Sequence, residues 1–231
     1  MKRLGIVGGI GPESTIEYYR ALVAGYRALV MDGSSPQILI NSIDLRPMLE
    51  LLSTNRAGEL AAFLAGEVNS LVAAGADFAL LAANTPHIVF DEVQRQVPIP
   101  LISIVQATAD QAKRLGLRKV GLFGTSFTMQ ARFYPDTFAR EGMALFVPEV
   151  EEQSYIHDKY FTELVNGHLD PQSRKHLLEI VDALKQRNQI EALILGGTEF
   201  SVVFREPRIC GIPILDTTLI HAQAAISHML G

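Results

Sequence analysis

Short, uninterrupted apolar runs punctuate the chain: Leu4 to Val7, Ile38 to Ile40, Phe78 to Leu81, Leu101 to Ile104, Val120 to Phe123 and Leu193 to Leu195. None shows the apolar-polar alternation of a half-exposed strand, so each reads as a strand covered on both faces. Between the runs the period changes. Ile16, Tyr19, Val23, Tyr26 and Val30 recur at steps of three and four, as do Leu60, Leu64, Val68, Leu71 and Val72. Such spacing predicts amphipathic helices that lay one apolar stripe on a sheet. Ser14-Thr15-Ile16-Glu17 has capping-box spacing and sets the expected start of the first helix near Thr15. Strands and helices in alternation imply right-handed crossovers and mostly parallel sheets. Ligands of such folds sit beyond the carboxyl ends of the strands.

The pattern occurs twice. Leu4-Gly5-Ile6-Val7-Gly8-Gly9 returns as Val120-Gly121-Leu122-Phe123-Gly124-Thr125, and Phe78-Ala79-Leu80-Leu81-Ala82-Ala83-Asn84-Thr85 as Leu193-Ile194-Leu195-Gly196-Gly197-Thr198-Glu199. Ile99-Pro100-Leu101-Ile102 returns as Ile212-Pro213-Ile214-Leu215, and the offsets between partners stay nearly constant. A chain of 231 residues is long enough for two small domains, and the repeat favours that division.

Composition narrows the partners. The formal net charge is -5, and the 20 Lys and Arg are scattered, which leaves no basic stripe for nucleic acid. No apolar run approaches the roughly 20 residues of a membrane helix. Cys210 is the one cysteine and has no internal disulfide partner. With no basic segment leading into an apolar stretch near Met1, the expectation is a soluble, cytoplasmic protein with a small-molecule ligand. None of the six histidines stands at a metal-ligand spacing, so no metal is expected.

Candidate chemistry gathers where strands end. Gly8-Gly9-Ile10-Gly11-Pro12 joins the first strand to the first helix, where glycines permit positive φ and let an anion approach backbone N–H groups. A tight turn is the plain alternative. The spacing is not the dinucleotide fingerprint, because Ser14 stands where the third glycine would be, so a nucleotide cofactor is not expected. Asn84-Thr85-Pro86-His87 and, in the second half, Thr198-Glu199 follow buried strands. Singly each reads as a helix cap. As repeat-related partners they could present amide, hydroxyl and carboxyl groups to one ligand.

These motifs together resemble the aspartate/glutamate racemase family: Gly-Gly-Ile-Gly-Pro-Glu-Ser-Thr from Gly8, Ala83-Asn84-Thr85-Pro86-His87, Gly124-Thr125-Ser126-Phe127-Thr128-Met129, and Gly196-Gly197-Thr198-Glu199. The likeness runs nearly end to end. It implies two pseudo-symmetric three-layer α/β domains with mostly parallel sheets and a ligand cleft between them, often assembled as a homodimer. The first domain is expected to comprise residues 1–98 plus 209–231 and the second residues 99–208, with Ile220, Ala224 and Met229 of a C-terminal helix closing over the first. The resemblance also implies cofactor-independent chemistry on a small carboxylate or amino-acid ligand. In the family two cysteines flank the substrate, one removing the α proton and the other returning a proton from the far side.

This chain departs from that pattern at both cysteines. The positions that match them hold Ala83 and Gly197, and neither a methyl group nor a hydrogen carries a proton. Glu199 and His87, beside the two positions, are the remaining candidate acid-base groups. Ile10, Arg46, Ala83, Asn84, Thr85, Thr125, Gly197, Thr198 and Glu199 form the expected substrate-binding set. Cys210 reads as a small buried hydrophobe, and Glu149-Val150-Glu151-Glu152 as a solvated loop. Three functions remain open: a racemase-type isomerase with relocated proton carriers, a decarboxylation on the same scaffold, and a catalytically silent carboxylate binder.

Overall fold

The computed structural model describes residues 1–231, apart from the side chains of Val202 and Val203. Strand β1 (Leu4–Gly8) is buried along its whole length and carries β2 (Ile38–Ser42) on one side and β3 (Phe78–Leu81) on the other. With β4 (Leu101–Ile102) outside β3, the sheet runs β2-β1-β3-β4 and every pairing is parallel. Helices α1 (Pro12–Leu29), α2 (Leu45–Ser53), α3 (Ala57–Ala73) and α4 (Phe90–Gln96) fill the crossovers. The second sheet repeats the order. β5 (Lys119–Gly124) pairs with β6 (Ala144–Phe146) and β7 (Ala192–Gly196), and β7 pairs with β9 (Ile212–Asp216), all parallel. A short antiparallel strand, β8 (Arg208–Ile209), closes the edge against β9. Its helices are α5 (Ile104–Arg114), α6 (Ser126–Gln130), α7 (Phe133–Arg140), α8 (Val150–Thr162), α9 (Pro171–Asn188) and the short α10 (Phe200–Val203), while most of the C-terminal helix α11 (Thr217–Leu230) returns to the first unit. The duplication legible in the sequence is thus a duplication of sheet order, with β1, β3 and β4 matched by β5, β7 and β9.

The chain divides into two compact units, Met1–Ile104 with His221–Gly231, and Val105–Ile220. Both boundaries fall further along the chain than the sequence suggested, because β4 pairs with β3 and β9 pairs with β7. Each unit has its own core. In the first, Leu4, Ile6, Phe78 and Leu80 pack with Tyr18, Leu22 and Tyr26 of α1 and with Ala225, Ile226 and Met229 of α11. In the second, Phe123, Leu193 and Leu195 pack with Ile156 and Tyr160 of α8 and with Leu177, Val181 and Leu184 of α9. Fully burying one such aliphatic or aromatic side chain stabilises by about 1.5–3 kcal/mol.

Several expectations need correction. Helix α1 starts at Pro12, not near Thr15, because proline with its fixed φ takes the first helical position and Gly11 stands as an N-cap without a side-chain bond. Ser14 therefore lies inside the first turn, fully buried, and is not the N-cap residue. Its buried stripe is Thr15, Tyr18, Leu22 and Tyr26, whereas Ile16 and Tyr19 are exposed. The run Ile38 to Ile40 is an edge strand, not one covered on both faces, and Ile40 is exposed. Glu149 to Glu152 is no loop. Glu149 caps α8 with a reciprocal capping box to Glu152, and Arg187 from the end of α9 pairs with both carboxylates. Along α11 the face toward the first unit is His221, Ala222, Ala225, Ile226 and Met229, so of the three expected residues only Met229 lies on it.

Candidate active site

The carboxyl end of β1 shows how a glycine turn can be spent on structure. Gly9 and Gly11 have φ of 76° and 89°. A Cβ on Gly9 would run into the backbone of Ile43, with the amide nitrogen at 2.6 Å and the carbonyl oxygen closer still. Ile43 N–H in turn donates to Gly8 O at 3.0 Å, which brings the segment after β2 against the turn. Thr15 Oγ1 accepts from Gly9 N–H at 2.9 Å and donates to Gly11 O at 3.3 Å. Gly9 is required for that close backbone approach, and its N–H is used inside the turn. Ile10, between the glycines, is buried.

Past β3, Ala83 and Asn84 are buried and Thr85 is half-buried at the start of a 3-10 turn, Thr85–Val89. Asn84 sits at the N-cap of that turn without capping it by its side chain. His87, one of the two candidate proton carriers, is buried and engaged at both ring nitrogens. Ile104 N–H donates to its Nε2 at 3.1 Å, so its Nδ1 carries the proton and donates to Ala83 O at 3.0 Å. Burial, together with the nearby His221 ring, pushes its pKa down to about 3. His221 repeats the arrangement. Its Nε2 donates to Ile102 O at 2.8 Å and its Nδ1 accepts from the Tyr18 hydroxyl at 2.7 Å, while burial lowers its pKa to about 4. The two imidazoles are neutral ties between strands and helices of the first unit. In each ring both nitrogens already have a protein partner.

Arg46 follows Asp44, the N-cap of α2, and its guanidinium is clamped on that carboxylate at 2.5 Å while its side chain is 88% exposed. The pair fixes the entry to α2. Its energetic worth is small at that exposure.

In the second unit Thr125 caps α6, its Oγ1 accepting from Thr128 N–H at 3.3 Å. The next residue, Ser126, donates its N–H to His157 Nδ1 at 3.1 Å, which puts the ring proton of this half-buried histidine on Nε2. Burial lowers the His157 pKa, so the ring is neutral near pH 7. Gly197, Thr198 and Glu199 follow β7 and are all buried. Glu199 stands at the N-cap of α10 yet does not cap it. Its carboxylate turns the other way: Tyr160 Oη donates to Oε2, and Thr198 Oγ1 donates to the same oxygen at 3.0 Å.

The sequence missed Tyr160 and His157. Both lie on α8, and Gln153, Ile156 and Tyr160 form its buried stripe at steps of three and four. That stripe was the available signal, hidden because the acidic start of the helix reads as a loop. Cys210 sits at φ 48° beside Gly211 at φ 78°, the two central residues of the β8–β9 hairpin turn. Its thiol contacts Leu178 O at 3.4 Å, and burial pushes its pKa up. Among the described residues, no three His, Cys, Asp or Glu side chains gather as metal ligands would. Nor, among them, is any helix long and apolar enough to cross a membrane.

Two α/β units with the same sheet order, each ending its central strands on buried polar turns, define the class of protein. Residues 7–225 match the profile of the Asp/Glu/Hydantoin racemase family. The chain belongs to that family, and so to the isomerases of the amino-acid racemase type. It is similar to a broad specificity amino-acid racemase, RacX, of Bacillus subtilis strain 168, with 23% identity over 236 residues and 98% of each chain covered. Among solved structures it resembles a Yersinia pestis protein provisionally assigned as an Asp/Glu racemase, at a TM-score of 0.91 and 31% identity over the whole of both chains. An aspartate racemase homologue from Pyrococcus horikoshii OT3 follows at 0.85 and 32%, again over the whole of both.

Proposed function

We propose that this chain is a cofactor-independent, racemase-type isomerase of the cytoplasm that acts at the α carbon of a small acidic amino acid. In this reading Glu199 carries the proton in place of the missing thiol at position 197. The observation that supports it most directly is a buried carboxyl at the end of β7, held by the hydroxyls of Tyr160 and Thr198 and not spent on capping α10. The first half has no counterpart, since Ala83 has no titratable group and His87 is fully used by the backbone. Deprotonation therefore belongs to Glu199, and return of a proton to the opposite face of the carbanion falls to water. A homodimer is part of the proposal, supported by the exposed apolar side chains of Ile16 and Tyr19 on α1 and Ile40 on the edge strand β2.

One proton carrier leaves a kinetic mark. A carboxyl that takes the α proton, exchanges it with solvent and returns it to the same face gives deuteration with retention. In deuterated water, proton NMR of L- and D-aspartate and glutamate should show α-deuteration outpacing appearance of the opposite enantiomer. Glu199→Gln should lower the exchange rate by about a hundredfold or more, the usual contribution of a positioned general base. Absence of α-deuteration in the parent protein with all four amino acids would refute the proposal for these substrates.

The spent imidazole of His87 also favours a second reading, a silent carboxylate binder. Ligands would then raise the melting temperature unchanged, with about 2.7 kcal/mol of stabilisation at a hundredfold excess over Kd.

A further inference from the structure

Gly197 is demanded by space rather than by backbone conformation. It is absent from the glycines with positive φ. A Cβ built on it would meet Tyr160 Cε2 at 2.5 Å and Phe200 Cδ2 at 3.1 Å, the first nearer than side chains tolerate without a shift. The Tyr160 ring has little room to yield. It is buried, packed against Phe200 with ring centroids 5.5 Å apart and against Phe161 at 5.4 Å, and its hydroxyl is tied to Glu199. A side chain from α8 thus fills the volume that any side chain at 197 would need, and it delivers a hydroxyl to the carboxylate two residues on.

We infer that Tyr160 replaces the missing side chain at position 197 and is the positioning residue for Glu199: its ring occupies the vacated volume, and its hydroxyl fixes the carboxylate and favours its ionised form. The catalytic consequence rests on the function proposed above, while the structural pairing does not. In that mechanism Glu199, ionised, accepts the α proton from the substrate, and the pair of electrons from the C–H bond stays on carbon. Tyr160 keeps its own proton throughout, donating a hydrogen bond to Oε2 that is stronger before the transfer than after it. The phenol thereby sets how readily the carboxylate takes and releases a proton.

Two measurements test this, and neither needs activity. In protein labelled with carbon-13 at the glutamate carboxyls, the Glu199 signal is identified by its absence in Glu199→Gln. Its titration midpoint should rise by about one pH unit or more in Tyr160→Phe, which keeps the ring and removes the donor to the charged form. The second is a double-mutant cycle read by urea midpoint. Gly197→Ala should lower the midpoint in the parent, and by less than half as much in a Tyr160→Leu background. An unmoved Glu199 midpoint, or a cycle in which the Gly197→Ala cost is the same in both backgrounds, overturns the inference. Where α-deuteration is present, Tyr160→Phe should move the pH-rate limb with the Glu199 midpoint and leave KM unchanged. If the parent shows no exchange but both structural results hold, the racemase reading fails and the Tyr160–Glu199 pairing stands.

Discussion

Lowering the pH should destabilise the first unit through two buried histidines. His87 and His221 are buried with lowered pKa values, about 3 and about 4, chiefly because burial penalises the imidazolium. Each also uses one ring nitrogen as an acceptor, from Ile104 N–H and from the Tyr18 hydroxyl, and protonation would remove that acceptor. The sign follows from linkage: the unfolded chain binds a proton at each imidazole from about pH 6.5 downward, and the folded chain does not until far lower. Above pH 6.5 both states are neutral and nothing is lost. Between about 6.5 and about 4, stability falls by about 1.4 kcal/mol per pH unit for each histidine, and it levels off once the folded rings protonate. At about pH 5 the cost is about 2 kcal/mol each and about 4 kcal/mol together, a large part of the 5–15 kcal/mol of a typical domain. The chain has no tryptophan, so urea unfolding is best followed by far-ultraviolet circular dichroism. His87→Gln and His221→Gln should each reduce the slope between about pH 6.5 and 5 by about 1.4 kcal/mol per pH unit, whatever they do to absolute stability, with His157 and His228, whose pKa values burial also lowers, supplying a smaller remainder. A double variant with the same pH dependence as the parent would refute the reasoning.

Introducing thiols at positions 83 and 197 makes a sharp companion test. Ala83→Cys with Gly197→Cys should gain little α-deuteration, because the new Cβ at 197 meets the Tyr160 ring, and adding Tyr160→Leu should raise the rate at least tenfold over the double variant. High activity in the double cysteine variant alone would show that the ring yields easily. Gly9→Ala should cost about 2 kcal/mol or more in urea unfolding, from its φ of 76° and the clash with the Ile43 backbone. A loss below about 0.5 kcal/mol would mean that the turn relaxes without strain.

The sheet order was legible because buried parallel strands write themselves as apolar runs, and Phe78 to Leu81 needed no adjustment at either end. Helix faces were less so. On α1 the apolar residues Ile16 and Tyr19 outweighed Thr15 and Tyr18 in the pattern, although Thr15 is the one that closes the glycine turn and Tyr18 the one that reaches His221. A buried polar side chain with a hydrogen-bond partner is invisible to a hydrophobic count. The acidic start of α8 failed for a related reason: Glu149 and Glu152 satisfy each other's backbone and meet Arg187 from a helix far along the chain. Without that long-range partner four residues with three acids look like solvent.

The two positions that hold no cysteine mean different things once their neighbours are known. Ala83 lies beside a histidine turned inward, and the first unit has closed around it with neutral imidazoles tied to Ala83 O, Ile102 O and Ile104 N–H. Gly197 lies beside a carboxyl that remains uncommitted to the helix it precedes, under a phenol that needs the room a side chain would take. Read as letters, both are small residues with no proton to give or take. As packed residues, one half ties its imidazole to the backbone, while in the other a carboxylate stands under a phenol hydroxyl, the pair to which the proposed function gives the proton transfer. That asymmetry is why a single-carrier mechanism, with deuteration outpacing inversion, suits the chain better than a symmetric two-base one. It also makes residue 160, outside every motif the sequence displays, the position on which the second half depends.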